Sequence, residues 1–236
     1  MYNFKKIDGF ELEFGNEISP LLFVDGKYIF MGQEYAKDEI KTLVNDEFDK
    51  VVKQASLDKI EACVDMSWLT DTKKDEILDG ENIESIVALT LFDPIYSKDK
   101  TINHENKLVR KTLAKANIGA HSEMLNDPDV NVRMTIIKNN PGLQGRFIND
   151  PHPYACAALA CTTYMYHNIL ANHKDARVRA TVLENNPSMA ERMVNDNDSR
   201  IKRVVVKVKP EFAERFLHDR NPVVRLLALK MHNKDK

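Results

Sequence analysis

Between residues 104 and 236 the chain repeats one arrangement of apolar and polar positions every 23 residues, with frames starting at His104, Asp127, Asp150, His173, Asp196 and Asp219, the last truncated. With the frame numbered 1 to 23, apolar side chains recur at positions 6, 10 and 11: Val132, Ile136, Ile137; Val178, Val182, Leu183; Ile201, Val205, Val206. The i, i+4, i+5 spacing keeps them on one helical face. Position 3 holds Asn106, Asp129, Asp175, Asp198 and Asn221, N-caps whose side-chain oxygen can accept from free backbone N–H groups. Asn-Pro at positions 14–15 ends that helix, because a residue before proline avoids the α region. Pro141, Pro187 and Pro210 can then open a second helix at its first turn, where a missing N–H costs nothing. Positions 17, 21 and 22 are apolar in that second helix: Leu143, Phe147, Ile148; Met189, Met193, Val194; Phe212, Phe216, Leu217. The pattern predicts two short helices per repeat, A then B. Helices this short are marginal alone in water, so stacking of neighbours must bury their faces.

Upstream the pattern weakens. Ile86, Leu91 and Asp93-Pro94 fall near the frame in 81–103, and Ile77 and Leu78 occupy the B end of 58–80. Residues 36–103 therefore read as a helical segment with degenerate repeats, opened by a helix from about 36 to 54. Residues 1–35 differ in kind. FELEF alternates, and LLFVDGKYIF sets Asp25-Gly26 between two β-prone runs. Asp-Gly is a hairpin signal because a type I′ turn needs positive φ. A small β-meander capping the first repeat is expected.

On its D-x-D-x-x-V-R…N-P frame, residues 104–236 resemble the HEAT-like repeat families, most closely the leucine-rich-repeat variant. The resemblance implies a mostly α fold: a right-handed α-solenoid of 23-residue two-helix repeats, six of them over 104–236. It also implies a surface used for binding, with the second helix lining the concave face. The repeat at 150–172 departs from the frame. Ala155 and Cys156 replace Val-Arg, and Thr163-Tyr164 replaces Asn-Pro.

Charge is unevenly spread. Residues 1–103 carry 22 Asp and Glu against 12 Lys and Arg, whereas 104–236 carry 22 Lys and Arg against 14 acids and all seven histidines. Position 7 is a ladder of Arg110, Arg133, Arg179, Lys202 and Arg225. Each lies beside the core positions and four residues after position 3, which where that position is acidic predicts a structural role through pairs such as Asp129–Arg133, Asp175–Arg179 and Asp198–Lys202. Position 12 (Lys115, Lys138, Lys207, Lys230) reads as a solvated outer row. Position 20 places Arg146, Arg192 and Arg215 at the border of the exposed surface, interrupted by Glu123 and Ile169. These three arginines, with Tyr164, Tyr166 and His167 of the odd repeat, are the candidate partner-binding residues. His152 and Tyr154 lie in that repeat too, where Ala157, Ala158 and Ala160 could equally serve close packing.

No catalytic residue, cofactor or metal is assigned. Cys156 and Cys161 lack a second pair at zinc-site spacing, and no phosphate-binding glycine loop, nucleophile elbow or H-E-x-x-H is present. Three cysteines make no disulfide framework. MYNFKKIDGFELEFG has no apolar signal region, and no apolar run reaches the roughly 20 residues of a membrane span, so a cytoplasmic setting is expected. The chain reads as a non-enzymatic scaffold for a protein partner. The alternative is a nucleic-acid-binding solenoid, somewhat like HEAT-like alkylpurine DNA glycosylases in using a basic concave face.

Overall fold

The computed structural model describes residues 21–30, 33–54, 57, 60, 64–116 and 119–233. The alternating FELEF segment and Cys63 lie outside the described residues. The chain divides into two compact units, Met1–Ala120 and His121–Lys236.

In the first unit, strands β1 (Leu21–Val24), β2 (Lys27–Phe30) and β3 (Gln33–Tyr35) form an antiparallel meander in that order. Val24 pairs with Lys27 across the turn. Asp25 and Gly26 both have positive φ, 49° and 80°, as a type I′ turn requires. The meander packs on α1 (Lys37–Asp46). Phe30 enters the core beside Ile40, Val44 and Phe48, and Trp68 meets Tyr28 edge-on at 5.5 Å.

The single helix expected over 36–54 is two. Glu47 leaves the α region (φ −123°, ψ 37°), its N–H closing on the Leu43 carbonyl, and α2 (Phe48–Gln54) starts afresh. The break lets Phe48 and Val51 join Ile40 and Val44 fully buried in one core. Then follow α3 (Asp71–Asp79), α4 (Ile83–Phe92), α5 (Pro94–Thr101) and α6 (Lys107–Ala116). Asp93 both caps α5 and accepts a 2.7 Å bond from the Lys74 ammonium of α3. Residues 81–103 are thus a helix pair, with Ile86 and Leu89 fully buried and Leu91 only half-buried.

In the second unit the A helices are α7 (Val130–Asn139), α8 (Pro153–Thr162), α10 (Ala176–Asn185), α12 (Ser199–Val208) and α13 (Pro222–His232), with α9 (His167–Leu170) and α11 (Ala190–Met193) between them. Each A helix packs on the next. Asp129, Asp175, Asp198 and Asn221 accept from the N–H two residues on at 2.8–2.9 Å, as their position predicts. Positions 6, 10 and 11 are fully buried at Val132, Ile136, Ile137, Val178, Val182, Leu183, Ile201, Val205 and Val206. The chain is an α-solenoid of 23-residue helix pairs with a β-meander at its N-terminal end.

The B segments are short helices as expected, but mostly of the 3₁₀ kind. Pro141–Phe147 and Pro210–Phe216 are 3₁₀ throughout, and Pro187–Met189 is 3₁₀ before running into α11. A ten-residue α-helix spans about 15 Å, and seven residues of 3₁₀ helix span about 14 Å. In these two seven-residue segments the tighter winding brings B close to A in length. The proline leaves its own debt: Pro141 has no N–H to offer the Ile137 carbonyl. Buried Gln144 supplies the donor instead, Nε2 to Ile137 O at 2.9 Å. His167, at the same position of the next repeat, sets Nε2 2.8 Å from Ala160 O.

Candidate interaction surface

The position-7 cations bond to the following repeat, and their partners differ from those expected. Arg133 forks onto Asp150 of the next repeat, Nε to Oδ2 at 2.7 Å and Nη2 to Oδ1 at 2.8 Å. Arg179 grips Asp196 in the same way at 2.7 and 2.9 Å, and the Lys202 ammonium reaches Asp219 at 2.7 Å. The remaining nitrogen, Nη1, donates to the position-1 carbonyl of its own repeat: Arg110 to His104, Arg133 to Asp127, Arg179 to His173, Arg225 to Asp219. The expected i, i+4 pairs give way because the position-3 oxygen is committed as N-cap, and Asp175 turns to Arg177. Position 1 is the true partner. Its carboxylate also accepts from the position-3 N–H, as Asp150 does from His152 at 2.8 Å.

The exceptions obey the same rule. Where position 1 is histidine, the preceding position 7 carries no cation: Val87 precedes His104, and Cys156 precedes His173. Both imidazoles accept the position-3 N–H through Nδ1 at 3.0 Å, the bond that the position-1 carboxylate accepts in the other frames. Cys156 is buried, with carbonyl oxygens of Ile148 and Asp150 3.5 and 3.6 Å from Sγ. Burial pushes its thiol pKa up.

These links set the acid response. The Lys202 ammonium, hydrogen-bonded to Asp219, holds that carboxyl below its ordinary 3.8. At Asp196 burial pushes the pKa up, but the Arg179 fork and the Asp198 N–H outweigh it, and the result is again below 3.8. A carboxyl depressed in the folded state adds stability above its unfolded pKa, and loses it as pH falls through the folded one. Urea midpoints should therefore change little through these groups from neutral pH to about 5, then fall steeply below about pH 4. In Lys202→Met the neutral-pH midpoint should drop and the acid limb flatten. An unchanged acid limb would show that the pair does not titrate with folding.

The candidate contact residues separate into distinct environments. Arg146, Arg192 and Arg215 are all exposed. Arg192 leans one repeat back, donating to the Asn168 side chain and carbonyl at 3.2 Å, and Arg215 covers the Phe212 ring at 5.7 Å. Ile169 stands between Arg146 and Arg192 in the series, so the arginines flank an apolar position rather than forming an unbroken row. Tyr164 is 69% exposed. Tyr166 is half-buried, its hydroxyl lying 3.1 Å from where a Cβ on Gly145 would sit, so glycine there makes room for the ring. His167 is turned inward, 2% exposed, with Tyr164 edge-on at 5.1 Å. Tyr154 sits at the opposite end of α8 under the Arg177 guanidinium, 5.1 Å from its ring centroid. The position-12 lysines 115, 138, 207 and 230 are exposed.

Sequence reasoning missed two apolar neighbours of Tyr164. Met165 is 76% exposed and Ile169 55%. Beside Ile169 opens a groove of about 780 Å³ whose lining includes Ile148, Asn149, Asn172, Lys174 and Arg192. The loss of Asn-Pro at 163–164 and of Val-Arg at 155–156 was the available signal, since a repeat that breaks its own frame has been freed from packing rules there.

A solved leucine-rich repeat variant, described as having a novel repetitive protein structural motif, matches 81% of this chain and 79% of its own length with a TM-score of 0.57. This chain is a repeat solenoid. Sequence identity to that neighbour is 17%, so the likeness carries the fold alone and does not single out HEAT kinship. No protein-family model and no curated protein matches the chain. Among the described residues, no helix is long and apolar enough to cross a membrane.

Proposed function

We propose that the chain is a non-enzymatic binding scaffold, an adaptor or inhibitor, that engages a protein partner through the B-segment surface of the repeats around 150–172. The observation that carries this reading is the exposed Tyr164, Met165 and Ile169 on one short segment, with Ile169 lining a groove that includes Arg192. Apolar anchors beside arginine are the composition of interface centres. Exposing them costs solubility without helping the core, since the same segment buries His167 and Leu170 for that purpose. The two described cysteines are free thiols, which fits a reducing, cytoplasmic setting.

Ile169→Asp and Met165→Glu should abolish partner capture while leaving the urea midpoint within about 0.5 kcal/mol of the parent. Recovery of the same partners by the variants would remove this surface from the reading. The basic half favours a second reading, nucleic-acid binding. It requires affinity for an oligonucleotide that falls steeply between about 50 and about 200 mM salt.

A further inference from the structure

Position 23 of the frame holds Asn126, Asn149, Asn172 and Asn195 in four consecutive repeats. All four are exposed, so packing does not demand them. Nor does capping. Among the described residues the Asn149 and Asn195 carboxamides make no hydrogen bond, and Asn172 donates only to its own turn, at 3.3 Å. Asn149 and Asn172 line the groove at Ile169. A carboxamide offers a donor and an acceptor together, which suits the N–H and C=O of a foreign main chain. Stacked helices lie about 8–10 Å apart. A polyproline-II segment repeats every three residues, about 9 Å, and leaves all its backbone groups free. A β-strand's two-residue period of about 7 Å does not match. The groove is also cationic: Lys174 and Arg192 line it, while its one carboxylate, Asp150, is already gripped by Arg133.

We propose that this face binds an acidic polypeptide segment of a partner protein in extended, polyproline-II conformation. The carboxamides of Asn149, Asn172 and Asn195 hold its main chain at every third residue. Lys174 and Arg192 draw its carboxylates, and Ile148 and Ile169 receive an apolar side chain. This inference rests on the scaffold reading above and names the partner's chemistry.

The test is selection of a random twelve-residue peptide library on the full chain, followed by anisotropy titration of the tightest peptide. The expected peptides are rich in Asp and Glu. Their affinity should fall at least tenfold in Asn149→Ala/Asn172→Ala/Asn195→Ala, and again in Arg192→Ala, with urea midpoints unchanged. Backbone N-methylation scanned through the peptide should weaken binding with a period of three residues. Selected peptides that are neutral or basic, or indifferent to the asparagines, overturn this inference and leave the scaffold reading standing. No enrichment of any peptide sinks both. Tight salt-sensitive binding of a twenty-residue thymidine oligonucleotide, with no peptide selected, moves the surface to nucleic acid.

Discussion

Arg133→Ala is expected to cost about 3–5 kcal/mol of unfolding free energy, the cost of breaking a buried ion pair by deleting one partner. The pair qualifies as buried: the Arg133 and Asp150 side chains are 9% and 3% exposed. Two losses combine. Asp150 keeps its desolvation but loses both guanidinium bonds, and the Asp127 carbonyl loses its donor. Because Asp150 opens the next repeat, the damage crosses a repeat boundary. Arg133→Lys should recover part of the loss, since Lys202 makes the same link to Asp219 with one nitrogen. Urea denaturation of the single variants, Asp150→Asn and the double variant gives the coupling energy. A total loss under about 1 kcal/mol would place the pair with solvent-exposed bridges and refute its structural role.

Phe147→Ala should cost a similar amount, about 3–5 kcal/mol. Phe147 is among the largest fully buried side chains. It ends a 3₁₀ segment that packs on both α7 and α8. Removing the ring opens a cavity between two repeats that neither can fill alone, because backbone hydrogen bonds fix each segment's length. Phe147→Leu should cost less, as most of the volume survives. Arg146→Ala, one residue earlier and exposed, should stay within about 0.5 kcal/mol. If Phe147→Ala is equally mild, B segments are decoration rather than part of the core.

The repeat length, the A-helix boundaries and the buried positions were legible because each depends on local rules applied several times over. Asp129, Asp175 and Asp198 cap where their spacing says they must, and Asp25-Gly26 turns as type I′ chemistry dictates. Position 7 was also legible as a row of ion-pairing cations, yet its partner was misassigned. The i, i+4 rule describes an isolated helix surface, and here the nearest acid was already occupied by a backbone N–H. One sequence signal points to the true partner: a cation at position 7 accompanies Asp at position 1 of the following frame, and Val87 and Cys156 accompany His104 and His173. The candidate site was less legible. Tyr164 is exposed, but His167 carries its imidazole into the core to meet a carbonyl, and polarity alone could not tell these apart.

By itself the sequence determined a solenoid: short helices patterned alike, individually unstable, can bury their apolar faces only by stacking in register. Tertiary structure decided the rest. It wound B as 3₁₀ over Pro141–Phe147 and Pro210–Phe216 but as α over His167–Leu170 and Ala190–Met193, because how tightly so short a segment winds depends on what it packs against. It chose which carboxylate each arginine reaches, because that depends on distance between repeats rather than along the chain. It also left Met165, Ile169 and the position-23 asparagines facing solvent, since which polar or apolar groups remain unused is known only after every neighbour has taken its place.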